Sequence, residues 1–315
     1  MRLVFCGTPQ FAVPTLEALL SAGHQVPLVI SQPDKPVGRA GEINPTPVKR
    51  AALAHGIAVT QPEKLKHNES LRDMLMTVAP DAIIVVAYGR IIPQWMLDLP
   101  RYGCINGHGS LLPRWRGAAP IQWAIASGDT ETGVTTMRLN AGLDTGPMLM
   151  KWAVSITSKT TSPELFETLS TIGADLMVQT LAGLEAGAVT PTEQDEALAT
   201  LAPILTRDDA RILFTRTATE VDQRFRGFQP WPGAFTTLRG KKLIVHAMDV
   251  AETSSNDAPG KLILRDGVML AICARDTAIV LDEVQMEGKK RMPAEEFLRG
   301  FQIRSGEALG EATIQ

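Results

Sequence analysis

The feature that most constrains this chain is a repeated alternation, between Leu3 and Asn106, of short apolar runs with stretches of helical periodicity. Leu3-Val4-Phe5-Cys6 ends at Gly7, and apolar residues then recur at helical spacing from Phe11 to Ser21, with Gly23 beyond as a stop. Val26 to Ile30 is a second apolar run, closed by Ser31-Gln32-Pro33-Asp34. Strand, helix, strand in that order builds a parallel α/β sheet with right-handed crossovers. The unit repeats through a helix over Val48 to His55, a short strand at Ala58 to Thr60, and a helix from Asn68 to Val78. Asp81 to Ala87 then reads as a continuous apolar strand of the kind buried on both faces, so it should be central. A short helix from Pro93 to Leu99 precedes another strand, Gly103 to Asn106. The polar residues beyond that strand lie at its carboxyl end, where open α/β sheets place their ligands.

The pattern changes after the long amphipathic stretch Ser162 to Leu184 and Gly187. Ala188 to Ala202 mixes Pro, Thr, Glu, Gln and Ala without periodicity and reads as a linker. Short helices are expected over Asp208 to Phe214 and Thr219 to Phe225. From Phe235 brief β-like runs alternate with turns, and Lys241 to Val245, Leu262 to Leu264, Met269 to Cys273 and Ala278 to Leu281 suggest a small antiparallel barrel. The expected organisation is an α/β domain over 1–188, a linker over 189–205 and a β-rich domain over 206–315. A length of 315 residues suits two domains.

Composition removes several classes of function. Cys6, Cys104 and Cys273 form no Cys-x-x-Cys pair, and the five histidines have no metal-ligand spacing, so no metal is expected. The opening residues lack the shape of a signal peptide, and no run approaches the roughly 20 apolar residues that cross a bilayer. A cytoplasmic, monomeric protein with no membrane role is the expectation. Formal net charge is −3, so any polyanionic partner must be held by local patches.

Chemistry concentrates in Asn106-Gly107-His108-Gly109-Ser110-Leu111-Leu112-Pro113 and the adjoining Arg114-Trp115-Arg116-Gly117. In an extended backbone, Asn106 and His108 point to one side, where an amide and an imidazole suit a developing oxyanion. Leu143-Asp144-Thr145-Gly146-Pro147 comes after a strand expected over Gly133 to Leu139 and holds one acid before a Gly-Pro turn. Acyl transfer to an amine needs donors at the oxyanion and a route for the ammonium proton, tasks that fit Asn106 with His108, and Asp144. Spacing alone equally allows a turn histidine and a turn-forming aspartate.

Phe5-Cys6-Gly7-Thr8-Pro9-Gln10-Phe11-Ala12, His108 to Ile121, Met137 to Met148, Pro230-Trp231-Pro232-Gly233-Ala234, Glu287 to Met292 and Phe297 to Gly300 together resemble the methionyl-tRNA formyltransferase family. The resemblance spans both expected domains. It implies a Rossmann-like formyltransferase domain that takes 10-formyltetrahydrofolate as co-substrate, with Asn106, His108 and Asp144 catalytic. It also implies a folate site lined by Ser110, Leu111, Leu112 and Pro113, with Val86, Tyr88 and Gly89 nearby. The second domain would be OB-fold-like and help hold initiator methionyl-tRNA, a use common for that barrel. The basic residues offered to tRNA are Lys35 and Arg39 in the 33–47 loop, Arg114 and Arg116 by the catalytic loop, and Lys241, Lys242, Lys289, Lys290 and Arg291 in the second domain. From residue 206 on, basic and acidic side chains balance, so the grip must come from clusters.

Three positions depart from the family pattern. Gly107 stands where the family usually has a β-branched residue between Asn and His. The 33–47 loop is less basic and carries Glu42, and Arg211-Ile212-Leu213-Phe214 lacks the family's acid and aromatic after the isoleucine. The weakly basic loop keeps open a formyltransferase acting on an amino-sugar or ribonucleotide amine. A nicotinamide-dependent oxidoreductase would need Gly-x-Gly-x-x-Gly after the first strand, where Gly7-Thr8-Pro9-Gln10-Phe11-Ala12 stands instead.

Overall fold

The computed structural model describes residues 1–37, 42–253 and 257–310. Internal contacts divide the chain into two units. The first comprises Met1–Ile121, Glu131–Ser155 and Glu164–Pro203, and the second Gln122–Thr130, Ile156–Pro163 and Ile204–Gln315.

The first unit is built on a seven-stranded sheet in the order Met148–Ser155, Glu131–Arg138, Cys104–His108, Ala82–Val86, Arg2–Gly7, Gln25–Ile30, Ala58–Thr60. The last five run parallel, while Glu131–Arg138 is antiparallel to both of its neighbours. Ala82–Val86 is the middle strand and every one of its residues is buried. Its alternation feeds two cores. Ile84 and Val86 pack with Leu3, Phe5, Leu16, Leu19 and Met177 on one face, and Ile83 and Val85 with Val4, Cys6, Leu71, Leu75 and Met96 on the other. This two-sided burial is why the strand reads as an unbroken apolar run. The helices supplying those faces are Val13–Ser21, Pro47–Ala54 and Ser162–Glu185 on the first, and Glu69–Val78 and the short Gln94–Leu97 on the second.

Met148–Ser155 leaves no strand signal in the sequence because it is an edge strand, partly or fully exposed along its whole length, with no apolar alternation to mark it. The stretch expected as a linker, 189–205, is hydrogen-bonded into the first unit as far as Pro203. Thr192 exchanges two backbone hydrogen bonds of 2.8 Å with Met148, and Leu201–Ala202 pairs in parallel with Arg116–Gly117.

In the second unit an antiparallel sheet runs in the order Phe235–Leu238, Lys241–Glu252, Thr277–Met286, Val268–Ile272, Leu262–Arg265, with Met292–Pro293 beside Thr277–Met286. Bridges from Leu309 to Leu238 and from Ala308 to Lys261 tie the chain's later part to both ends of that series. Leu243, Val245, Ile279, Leu281 and Val284 fill the core with Val221 of the helix Ala218–Gly227 and Phe297 of the helix Ala294–Phe301. The helix expected over Asp208 to Phe214 is a single 3-10 turn, Asp208–Ala210. The Asp209 carboxylate accepts from the Thr206 amide and hydroxyl at 2.8 Å, and Arg211 then bridges in extended form to Phe235. Among the described residues no helix is long and apolar enough to cross a membrane.

Candidate active site

Cys104–His108 is held between two strands, with Asn106 opposite Val85 and Met137, and His108 opposite Thr135. The pleat sends Asn106 and His108 to one face and Gly107 to the other, toward Met177 and Val86. A Cβ at Gly107 would meet those side chains at 3.5 and 3.6 Å, ordinary contact distances, so the glycine is not forced by crowding. Asn106 is half-buried, and its side-chain amide makes no hydrogen bond among the described residues. Its donors are therefore available at the strand's end.

His108 is buried and has two neighbours. Nε2 lies 2.9 Å from the Trp115 carbonyl, which can only accept, so Nε2 carries a hydrogen. Nδ1 lies 3.7 Å from Asp144 Oδ2, beyond hydrogen-bond length but within ion-pair distance. The same Oδ2 accepts the Gly117 amide at 2.9 Å. Asp144 reaches this position from a loop in which Asn140 Oδ1 accepts from Gly142 N and Thr145 Oγ1 at 3.0 and 2.9 Å. Gly146 is required in that loop: a Cβ there would stand 1.9 Å from the Arg138 carbonyl. Asp144 itself adopts φ +52°, in the left-handed region that L residues seldom occupy.

Two residues the sequence did not single out complete the arrangement. Gln194 is buried, its Nε2 donating to the carbonyls of Asp144 and Gly146 at 2.7 and 2.8 Å and its Oε1 accepting from Arg116 Nε at 3.0 Å. Arg116 turns inward, only 5% exposed, and its two terminal nitrogens make paired 2.8 Å bonds to Glu196. That pairing raises the Arg116 guanidinium above its ordinary range, and holds the Glu196 acid below its own. Gln194 and Glu196 lie in an aperiodic, Pro- and Thr-containing stretch with no local pattern that would mark them.

The loop expected to line the folate site is itself closely held. Ser110 Oγ donates to the Arg114 carbonyl at 2.6 Å, Thr135 Oγ1 donates to the Ser110 carbonyl at 2.7 Å, and the Leu112 amide donates to Thr135 Oγ1 at 3.0 Å. Ser110, Leu112, Val86 and Tyr88 are buried, Leu111 and Pro113 half-buried, and Gly89 exposed. Burial pushes the Tyr88 phenol well up, and its hydroxyl has no hydrogen-bond partner among the described residues. Of the residues expected at the folate, Leu111, Pro113 and Gly89 keep surface open to solvent.

Of the residues offered to tRNA, Lys35, Lys241, Lys242, Lys289 and Lys290 are exposed, and Arg39 lies outside the described residues. Arg114 stacks on Trp115 at 4.5 Å, Arg291 pairs with Glu283, and Lys242 Nζ lies 4.0 Å over the Phe235 ring.

A mostly parallel α/β sheet with an amide, an imidazole and a carboxylate gathered near the end of one strand is an arrangement that suits acyl transfer to an amine. The formyl transferase family model matches residues 1–181, and the model of the formyl transferase C-terminal domain matches 204–302. The methionyl-tRNA formyltransferase of Acidobacterium capsulatum is 58% identical over 98% of this chain and all of its own length, and that of Koribacter versatilis is 54% identical over 98% and 99%. In fold, the chain matches a sugar 3N-formyl transferase crystallised in the presence of dTDP and 5-N-formyl-THF, with a TM-score of 0.65 and 16% identity over 92% of this chain and 99% of the other. The chain belongs to the methionyl-tRNA formyltransferase family.

Proposed function

We propose that this chain moves a formyl group from 10-formyltetrahydrofolate to the α-amino group of methionyl-initiator tRNA, with Asn106, His108 and Asp144 at the reacting carbon. Formyl transfer to methionyl-tRNA is the family's activity, and the chain carries it across its full length. The folate supplies an activated formyl carbon. As the amine nitrogen bonds to that carbon, its carbonyl oxygen takes on negative charge, and the unengaged Asn106 amide donates to it. With Nε2–H kept on the Trp115 carbonyl, His108 donates to the same oxygen through Nδ1–H in its doubly protonated form. Asp144, 3.7 Å from Nδ1, accepts the proton the new bond makes acidic. That proton passes to the departing folate nitrogen as the old carbon–nitrogen bond breaks, so the formyl group and one proton change places between folate and amine.

The observation carrying this reading is the pairing of a free amide with a His–Asp couple whose outer contacts are all fixed. The second unit is assigned the tRNA. Its antiparallel sheet, with both ends tied through 308–309, supports an OB-like barrel, and Lys241, Lys242, Lys289 and Lys290 supply charge for phosphates. Lys35 and Arg114 add to this from the first unit.

The test is transfer of labelled formyl from 10-formyltetrahydrofolate to charged initiator tRNA, with uncharged tRNA as competitor. Labelled product, and inhibition by uncharged tRNA, are expected. Absence of product on tRNA with transfer to an amino-sugar or ribonucleotide amine would replace this reading with the small-acceptor one.

A further inference from the structure

The strongest unexplained arrangement in the first unit is the polar ring behind Asp144. Asp144 is held at both ends. Gly117 N–H holds its carboxylate at 2.9 Å and Gln194 Nε2 its carbonyl at 2.7 Å. Those two holders are themselves connected, because Arg116, next to Gly117, donates its Nε to Gln194 Oε1 at 3.0 Å. The strand pair Arg116–Gly117 with Leu201–Ala202 fixes the main chain on the same side, and the Trp115 amide donates to Thr200 Oγ1 at 2.9 Å. Glu196 is 73% exposed, yet it occupies both terminal nitrogens of Arg116. A bidentate pair fixes the plane of a guanidinium, leaving Nε aimed at one place. That place is Gln194.

A left-handed aspartate needs such a hold, since its conformation is disfavoured for any residue with a Cβ and persists only when its surroundings over-determine it. Gln194 provides it with no donor to spare: both amide hydrogens go to loop carbonyls, of Asp144 and Gly146, and the oxygen takes the arginine. We propose that Gln194, oriented by Arg116 and Glu196, is a positioning residue that sets the Asp144 carboxylate beside His108, an inference resting on the catalytic reading of Asp144. On this view the segment after the long helix completes the active site, and Arg116 serves the Asp144 loop and not the tRNA.

Gln194→Leu keeps the side chain's volume and removes all three hydrogen bonds. Steady-state and single-turnover formyl transfer, with melting temperature as a check on folding, should show kcat reduced about tenfold or more, as for a misplaced reacting group. KM for the folate and for charged tRNA should stay within about twofold of wild type. In an Asp144→Asn background the same change should cost almost nothing further, because the two residues act as one unit. Glu196→Gln, at an exposed position where folding is safe, should lower kcat a few-fold with KM unmoved. Arg116→Lys, which keeps the charge but loses the fork, should not restore the wild-type rate.

Wild-type kcat in Gln194→Leu beside a crippled Asp144→Asn would overturn the proposal and leave the catalytic reading intact. Full multiplication of the two losses, or a loss confined to KM, would overturn it as well. Wild-type turnover in Asp144→Asn would overturn the catalytic reading, and the proposal with it.

Discussion

The two units use polar side chains in opposite ways. In the first, Arg116, Gln194, His108 and Asp144 are buried or nearly so, and each has a hydrogen-bond partner within a few tenths of an ångström of ideal length. In the second, Lys241, Lys242, Lys289 and Lys290 stand in solvent, while Arg239 and Arg291 are tied to Glu307 and Glu283. On the proposed function, the difference stems from the demands of each task. Transfer chemistry depends on where a donor points, and a misplaced group loses most of its effect. A grip on phosphates depends on charge and reach, which a flexible, hydrated lysine provides without being ordered.

The comparison breaks at its strongest point if Asp144→Ala behaves like a surface change. Its kcat should fall about 10³-fold, near the upper end for removal of one group acting at the transition state, with KM for charged tRNA little altered. The opposite signature is expected of the fourfold Lys241, Lys242, Lys289 and Lys290 change to Ala. KM for charged tRNA should rise about tenfold or more, kcat should stay within about twofold, and the slope of log affinity against log salt should weaken by roughly three. A drop in kcat with KM unmoved would place those lysines in the wrong half of the contrast.

How far the sequence discloses this contrast depends on how local the signal is. The central strand is legible because burial on both faces demands a continuous apolar run, and Asn106, His108 and Asp144 lie in Gly-rich, motif-bearing segments. Gln194 and Glu196 are not, because they are fixed by a contact with Arg116 across nearly eighty positions of chain, which leaves no periodicity. The same holds for Met148–Ser155, an edge strand partly or fully exposed along its length, and for Arg116, whose charge reads as surface until its burial is seen. Gly107 reads as a departure near the site, yet its missing side chain would face Met177 and not the reacting groups.

That placement sharpens the comparison further. Gly107→Ala should leave kcat unchanged and stabilise the protein by about 0.5–1 kcal/mol, the usual gain of Ala over Gly within a strand, visible as a higher melting temperature. A large loss of activity would show that the backbone there needs glycine's freedom. The smallest effect belongs to the base of the 33–47 loop. There the Lys49 ammonium, then the Gln61 amide and the Thr46 N–H, hold the Asp34 acid below its ordinary range. A carboxyl depressed in the folded state contributes stability above its unfolded value of about 3.9, and loses it as pH falls through the lower folded one. Asp34→Asn should therefore melt earlier than wild type at pH 7, with the gap closing as pH drops below about 4. A gap that stays constant across that range would show that the ion pair contributes nothing to stability.

The most direct test of the central claim, that the chemistry rests on the face of Cys104–His108, is the rate of formyl transfer to saturating charged initiator tRNA by Asn106→Ala. The expected result is a fall of about 100-fold in kcat with the tRNA KM preserved, because one oxyanion donor is lost while the second unit is untouched. A wild-type rate would contradict the claim.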